Sequence, residues 1–160
     1  MRSAANSENI QVVHLEILQF LSISNRYSNT AQAMTEYLGQ TKGSISQSLK
    51  VLEKEDFIER KPCSKDKRVT RLYLTNKGND CLQRMLTYLP STDETAEGIE
   101  FTKSLLLKWQ AQNSNKGFGQ CRSCRFNNKQ SSGTFQCGLT EETLTETDIN
   151  LICREHQFDT

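Results

Sequence analysis

Four cysteines, Cys121, Cys124, Cys137 and Cys153, stand in the pattern Cys-x2-Cys-x12-Cys-x15-Cys within the last forty residues of a 160-residue chain. A Cys-x2-Cys turn lets two sulfurs converge on one ion, and two further single cysteines complete a tetrahedral set. In a reducing compartment, clustered thiols point to a metal more than to disulfides. Zinc suits four thiolates and would be the folding core of a segment too small to bury one of its own. An iron–sulfur cluster is held by the same ligand type and is the alternative. Four thiolates without a further obvious ligand describe a closed site, structural or sensory. His156, three residues after Cys153, is a candidate to replace a ligand, and Arg122, Arg125 and Arg154 are placed to offset thiolate charge. Cys63 and Cys81 lie outside the cluster and read as ordinary residues.

A second chemistry is electrostatic. The chain carries twenty Lys/Arg and nineteen Asp/Glu, a formal net charge of +1. Between Lys42 and Lys77 the count is ten basic against five acidic, and elsewhere ten against fourteen, so a segment of +5 is hidden by a remainder of −4. Such a segment is the footprint of a phosphate-binding surface. Other classes fall away. No run of 18 apolar residues could span a membrane, and no secretory signal opens the chain, so a cytoplasmic protein is expected. There is no Ser/His/Asp set, no phosphate loop and no convincing carboxylate pair, and only two His occur. An enzyme is not expected.

The elements that must position these residues follow from periodicity. Ile10, Val13, Ile17, Phe20 and Leu21 recur at helical spacing and predict a helix over 10–24. A turn at 25–30 precedes a short helix over 31–38, with Gly39 placed as its C-cap. Thr41 is the expected N-cap of a helix running to 55, whose inner face is Ile45, Leu49 and Leu52. Its outer face offers Lys42, Ser44, Ser46, Gln47 and Lys50, donors and acceptors suited to base edges and phosphates. Residues 58–74 read as a hairpin whose tip, including Lys65, Asp66, Lys67 and Arg68, is basic, with Arg71 on the returning strand. Further helices are expected at 76–89 and 99–112, then a linker at 113–120, and a short helix within 140–153 delivering Cys153. Phe118, Phe126, Phe135, Leu139, Leu144, Ile149, Leu151 and Ile152 are the apolar residues available to pack around a metal centre. A short-turned helix pair followed by a hairpin makes a winged helix–turn–helix, whose second helix enters the major groove.

At this point the chain resembles a known family. Gly39 to Pro62 resembles the recognition helix and first wing strand of MarR-type transcriptional regulators, Asp66-Lys67-Arg68 matches their Asp-x-Arg wing signature, and Leu74-Thr75-Asn76-Lys77-Gly78 resembles their Leu-Thr-x-x-Gly helix opening. Asp56 stands where the family usually has Gly, a position that needs a left-handed backbone, which Asp tolerates better than most residues. The resemblance, over about residues 10–110, implies an obligate homodimer built from the N-terminal helix and the helices after the wing. It implies recognition of a pseudo-palindromic DNA operator, usually to repress. Carried over by position, Arg68 reaches the minor groove, Asp66 orients it, and Ser44, Ser46 and Gln47 face the major groove. It also implies a small-molecule effector, often phenolic, bound between the lobes, where His14 borders the site. The four-cysteine segment is outside the family pattern. Its pair-then-single-then-single layout is similar to that of high-potential iron–sulfur proteins and lacks the second Cys-x2-Cys of a zinc ribbon.

The expected architecture is therefore mainly α with a small β-hairpin wing, over 1–112, plus a small four-Cys metal-binding module over 113–160. The expected function is a homodimeric, DNA-binding transcriptional regulator. A contrasting possibility is a metal or redox-cofactor protein that uses the helices only as a dimerisation scaffold.

Overall fold

The computed structural model describes residues 10–87, 104–105, 117–131 and 133–158. The chain divides into two compact units, Met1–Pro90 and Ser91–Thr160. The boundary expected after residue 112, and nearly all of the helix expected at 99–112, lie outside the described residues.

In the N-terminal unit, helices α1 (Val12–Ile23), α2 (Ala31–Leu38) and α3 (Lys42–Lys54) precede a hairpin of β1 (Ile58–Pro62) and β2 (Thr70–Leu74), and α4 (Asn76–Leu86) follows. Three of the helices begin at a threonine whose hydroxyl accepts from a backbone N–H of the first turn: Thr30 from Ala33, Thr41 from Ser44 and Thr75 from Gly78. Each satisfies one of the four donors that a helix start leaves without an intrahelical partner. Helix α2 ends at Gly39 with φ 63°, a left-handed conformation that turns the chain straight into Thr41 and α3.

The core of this unit is built from all its described elements. Ile17, Leu18 and Phe20 of α1, Met34 of α2, and Ile45, Leu49 and Leu52 of α3 are each at most 1 % exposed. Ile58 and Leu72 close the core from the hairpin, and Cys81 and Leu82 from α4. Each of these aliphatic side chains contributes about 2 kcal/mol of transfer free energy. Cys81 is fully buried and serves as a small apolar residue.

The hairpin is fastened to the turn between α1 and α2. Leu72 N–H donates to the Asn29 carbonyl at 2.9 Å, and Asn29 Nδ2 donates back to the Leu72 carbonyl at 3.0 Å. That turn is held by Asn25, whose Oδ1 accepts from the backbone N–H groups of Tyr27 and Ser28 and from the Ser28 hydroxyl. At the end of α3, Asp56 adopts φ 59°, as expected of an Asp at a left-handed position.

The described residues 117–158 of the C-terminal unit form very short pieces. Strand β3 (Gly119–Gln120) pairs antiparallel with β7 (Ile152–Cys153), and β4 (Asn127–Lys129), β5 (Phe135–Cys137) and β6 (Thr143–Leu144) form a three-stranded sheet in that order. A single 3-10 turn covers Cys121–Ser123, and the expected short helix is α5 (Glu146–Asn150). Thr145 caps α5 reciprocally with Asp148, whose Oδ2 accepts from the Thr145 N–H and hydroxyl. The helix stops before Cys153, which is delivered by β7 instead. Of the apolar residues expected to surround a metal centre, Leu144 and Ile149 are buried, Phe118, Phe126, Phe135, Leu151 and Ile152 are half-buried, and Leu139 is exposed.

Candidate nucleic-acid interface and thiol cluster

Helix α3 buries Ile45, Ser48, Leu49 and Leu52 and exposes Lys42, Ser44, Ser46, Gln47 and Lys50. A 3.6-residue period leaves those five polar side chains together on the outer face. The wing brings the second set. Lys65, Lys67 and Arg68 are exposed at its tip, and Cys63 N–H donates to the Val69 carbonyl at 2.8 Å to close the loop that carries them.

Arg68 is held by Asp66 at three points. Its backbone N–H and its Nε donate to Asp66 Oδ1, both at 3.0 Å, and its Nη2 donates to Oδ2 at 2.9 Å. The Arg68 side chain stays 91 % exposed. Its hydrogen bonds, and then that of the Arg68 backbone N–H, hold the Asp66 carboxyl below the usual carboxylate range, so the clasp persists above that range and is lost as pH falls through the lowered value. Asp66 thus fixes a long, exposed arginine in one conformation before any ligand arrives.

Three basic residues of the segment have local roles that sequence reasoning missed. Arg71 is half-buried and its Nη1 donates to the Tyr27 carbonyl at 2.7 Å, fastening the wing to the α1–α2 turn. Lys77 Nζ donates to the Glu55 carbonyl at 2.6 Å and stands 4.5 Å over the Phe57 ring, which caps the end of α3. Arg60 pairs with Glu53 at 2.8 Å. A basic residue early in a helix, after the strand that returns from a hairpin, is a signal for such a cap, but charge counting alone does not register it.

His14 is buried, and its Nδ1 accepts from the Gln11 N–H at 3.4 Å, closing the first turn of α1. Burial pushes its pKa down, so the ring is neutral at physiological pH.

The two cysteines of the N-terminal unit differ. Cys63 is half-exposed at the wing's base, where the backbone at Asp66 and Lys65, and then Arg71, favour its thiolate and lower its pKa. Cys81 is sealed in the core. Limited alkylation of the native protein should label Cys63 well before Cys81, and peptide mapping that finds Cys81 labelled as fast would contradict this packing.

In the C-terminal unit the backbone gathers the four clustered cysteines. Register places Cys153 opposite Gly119, two residues before Cys121, and Cys137 opposite Asn127, three residues after Cys124. The Cys121-x2-Cys124 segment is a tight turn in which Cys124 N–H donates to the Cys121 carbonyl at 3.0 Å. The Cys121 thiol is pushed up to about 12 by burial and then by the charges of Cys124, Cys153 and Cys137, which lie near enough to act on it. No disulfide joins the cysteines. Among the described residues, no three His, Cys, Asp or Glu side chains stand in an arrangement that would hold a metal ion as placed. Of the arginines expected to offset thiolate charge, Arg122 reaches Asn150 Oδ1 and Glu146 and Arg154 reaches Glu155.

Comparison with known proteins supports the N-terminal fold. Residues 8–69 match the family model of the MarR family. An S. aureus MepR–DNA complex aligns over 71 % of this chain and 86 % of its own, at 18 % identity and a TM-score of 0.51. Wild-type apo MarR from E. coli aligns over 67 % and 83 %, at 18 % identity and a TM-score of 0.52. A MarR-family transcriptional regulator from Silicibacter pomeroyi aligns over 69 % and 77 %, at 16 % identity and a TM-score of 0.59. At these identities the likeness establishes the winged-helix fold. No curated protein matches the chain in sequence. Among the described residues, no helix is long and apolar enough to cross a membrane.

Proposed function

We propose that the protein is a cytoplasmic transcriptional regulator of MarR type that binds double-stranded DNA as a homodimer and represses from a pseudo-palindromic operator. The observation that carries this is the pairing of two surfaces: the exposed polar face of α3 and an Arg68 preset by Asp66 at the adjoining wing tip. Helix α3 presents Ser44, Ser46 and Gln47 to base edges in the major groove, with Lys42 and Lys50 on phosphates. Lys65 and Lys67 flank Arg68 as it enters the minor groove, whose narrow negative channel favours arginine. Arg71 acts from behind, by holding the wing in place. Support comes from the fold shared with MepR, which has been seen bound to DNA. A small-molecule effector tunes the DNA affinity. The C-terminal unit adds a metal site of Cys121, Cys124, Cys137 and Cys153, zinc by preference and an iron–sulfur cluster as the alternative, in a structural or sensory role.

The test is binding to duplexes selected by the wild-type protein from a random pool, followed by fluorescence anisotropy at several salt concentrations. Wild-type affinity should fall steeply with salt, because binding releases counterions from neutralised phosphates. Arg68→Ala should weaken binding by about 10- to 100-fold while leaving the melting temperature unchanged. An unchanged affinity would remove the wing from the mechanism. Failure of the wild type to bind any duplex at low salt would favour the contrasting reading, a metal or redox-cofactor protein on a helical scaffold.

A further inference from the structure

The C-terminal unit contains a second tight turn that mirrors the first. In Cys153-Arg154-Glu155-His156, the His156 N–H donates to the Cys153 carbonyl at 3.3 Å, as Cys124 N–H does to Cys121. The two turns are joined. His156 is 1 % exposed, and its Nε2 lies 3.1 Å from the Ser123 hydroxyl, inside the Cys121–Cys124 turn. That hydroxyl donates to the Gln120 carbonyl at 3.0 Å, so the shared hydrogen belongs to the ring and Nε2–H is the donor. One face of the ring is covered by backbone. A Cβ added to Gly119 would stand 2.7 Å from Cγ and Nδ1 and 2.8 Å from Cε1. Phe158 closes the remaining side edge-on, 4.4 Å between centroids. Beyond the ring, Arg125 N–H donates to the Gln157 carbonyl at 2.8 Å, which ties the chain after Cys124 to the chain after His156.

We infer that His156 is the clamp of a four-thiolate site for one tetrahedral, thiophilic divalent cation of the zinc class, and is not itself a ligand. This rests on the four-cysteine reading above. A histidine three residues after a cysteine has the spacing of a ligand pair, but here Nε2 is spent on Ser123, the ring face lies against Gly119, and four thiolates already complete a tetrahedral set; Nδ1 is buried without a hydrogen-bond partner. The clamp locks together the two segments that carry three of the four sulfurs, Cys121 and Cys124 on one and Cys153 on the other. The fourth, Cys137, is fixed by the pairing of β5 with β4. Among the described residues the unit's other buried apolar side chains are chiefly Leu144 and Ile149, so an ion holding four sulfurs supplies cohesion that their packing cannot. Outer groups that orient ligands in this way typically change metal affinity 10- to 100-fold when removed, without changing the ligand set.

The experiment uses the full chain, stripped of metal and titrated with Co²⁺, followed by competition with Zn²⁺ against a chromophoric chelator. The wild type should bind about one Co²⁺ per chain with the intense sulfur-to-cobalt charge-transfer bands of four thiolates. His156→Ala and Ser123→Ala should keep the stoichiometry and the shape of the visible spectrum and lose about 10- to 100-fold in affinity. His156→Gln, whose amide can still donate to Ser123, should recover part of that loss. If His156→Ala moves the cobalt d–d bands, as removal of a nitrogen ligand would, His156 is a ligand and the inference is overturned. The same holds if all three variants bind as tightly as the wild type. If the wild type binds neither Co²⁺ nor Zn²⁺, the four-cysteine reading fails with it. A brown protein isolated anaerobically with several irons and sulfides per chain would overturn the choice of cation.

Discussion

Gly78→Ala is expected to lower the stability of the N-terminal unit by about 3 kcal/mol or more. A Cβ at Gly78 would stand 2.0 Å from the Phe57 carbonyl oxygen and 3.0 Å from its carbon, and backbone cannot swing aside as a side-chain tip can. The crowding is built into the junction. Phe57 O accepts from Thr75 N–H at 3.1 Å, Asp56 O accepts from the Thr75 hydroxyl at 2.6 Å, and Glu55 O accepts from Lys77. These bonds draw the start of α4 against the chain leaving α3, and only a residue without a side chain fits at Gly78. Gly43 is the control. It lies in α3 with nothing closer than the Thr41 hydroxyl at 3.9 Å, so Gly43→Ala should raise stability by about 0.5–1 kcal/mol. Chemical denaturation of the two variants side by side decides the matter. A Gly78→Ala protein as stable as the wild type would mean the junction is looser than described.

Removal of the metal from the C-terminal unit is the other large effect expected, given the proposed site. The apparent free energy of zinc binding to small four-ligand modules is roughly 10 kcal/mol at neutral pH, and where the described residues 117–158 bury so few apolar side chains, that binding is folding. A strong chelator, or Cys121→Ser, should abolish the protected amides of residues 119–158 in hydrogen exchange. Those of α1 to α4 should stay protected, because their core contains no clustered cysteine. Cys121 is the most informative position: it is the most buried of the four thiols, and Ser there leaves a poorer ligand in a site already costly to ionise. Retention of full metal content by Cys121→Ser would refute the ligand set.

Much of the N-terminal unit was legible because its signals are local and repeated. Thr41 and Gly39 bracket the α2–α3 turn, Ile45, Leu49 and Leu52 mark a buried stripe, and the family resemblance pointed to the left-handed backbone at Asp56. Helix α4 is seen from Asn76 to Leu86, and residues 88–89 of the helix expected to 89 lie outside the described residues. The C-terminal unit was legible as chemistry and not as structure. Its described strands are two or three residues long, too short for any alternation to show. The role of Arg71 was hidden for a different reason: its partner is the carbonyl of Tyr27, and backbone acceptors leave no mark in a sequence. The same holds for His156, whose spacing from Cys153 suggested a ligand while its contacts with Ser123 and Gly119 lie more than thirty residues away.

The Asp66–Arg68 clasp divides labour in time. At a distance beyond about 10 Å in ordinary salt, the paired guanidinium and carboxylate cancel, and an approaching duplex feels little of either. Long-range attraction is left to residues such as Lys42, Lys50 and Lys67, which set how often the protein meets DNA. Only within contact distance does the held arginine act, and by then its rotamers are already ordered, so little conformational entropy remains to be lost on docking. In such a surface the lysines govern the rate of arrival and the arginine governs the length of stay.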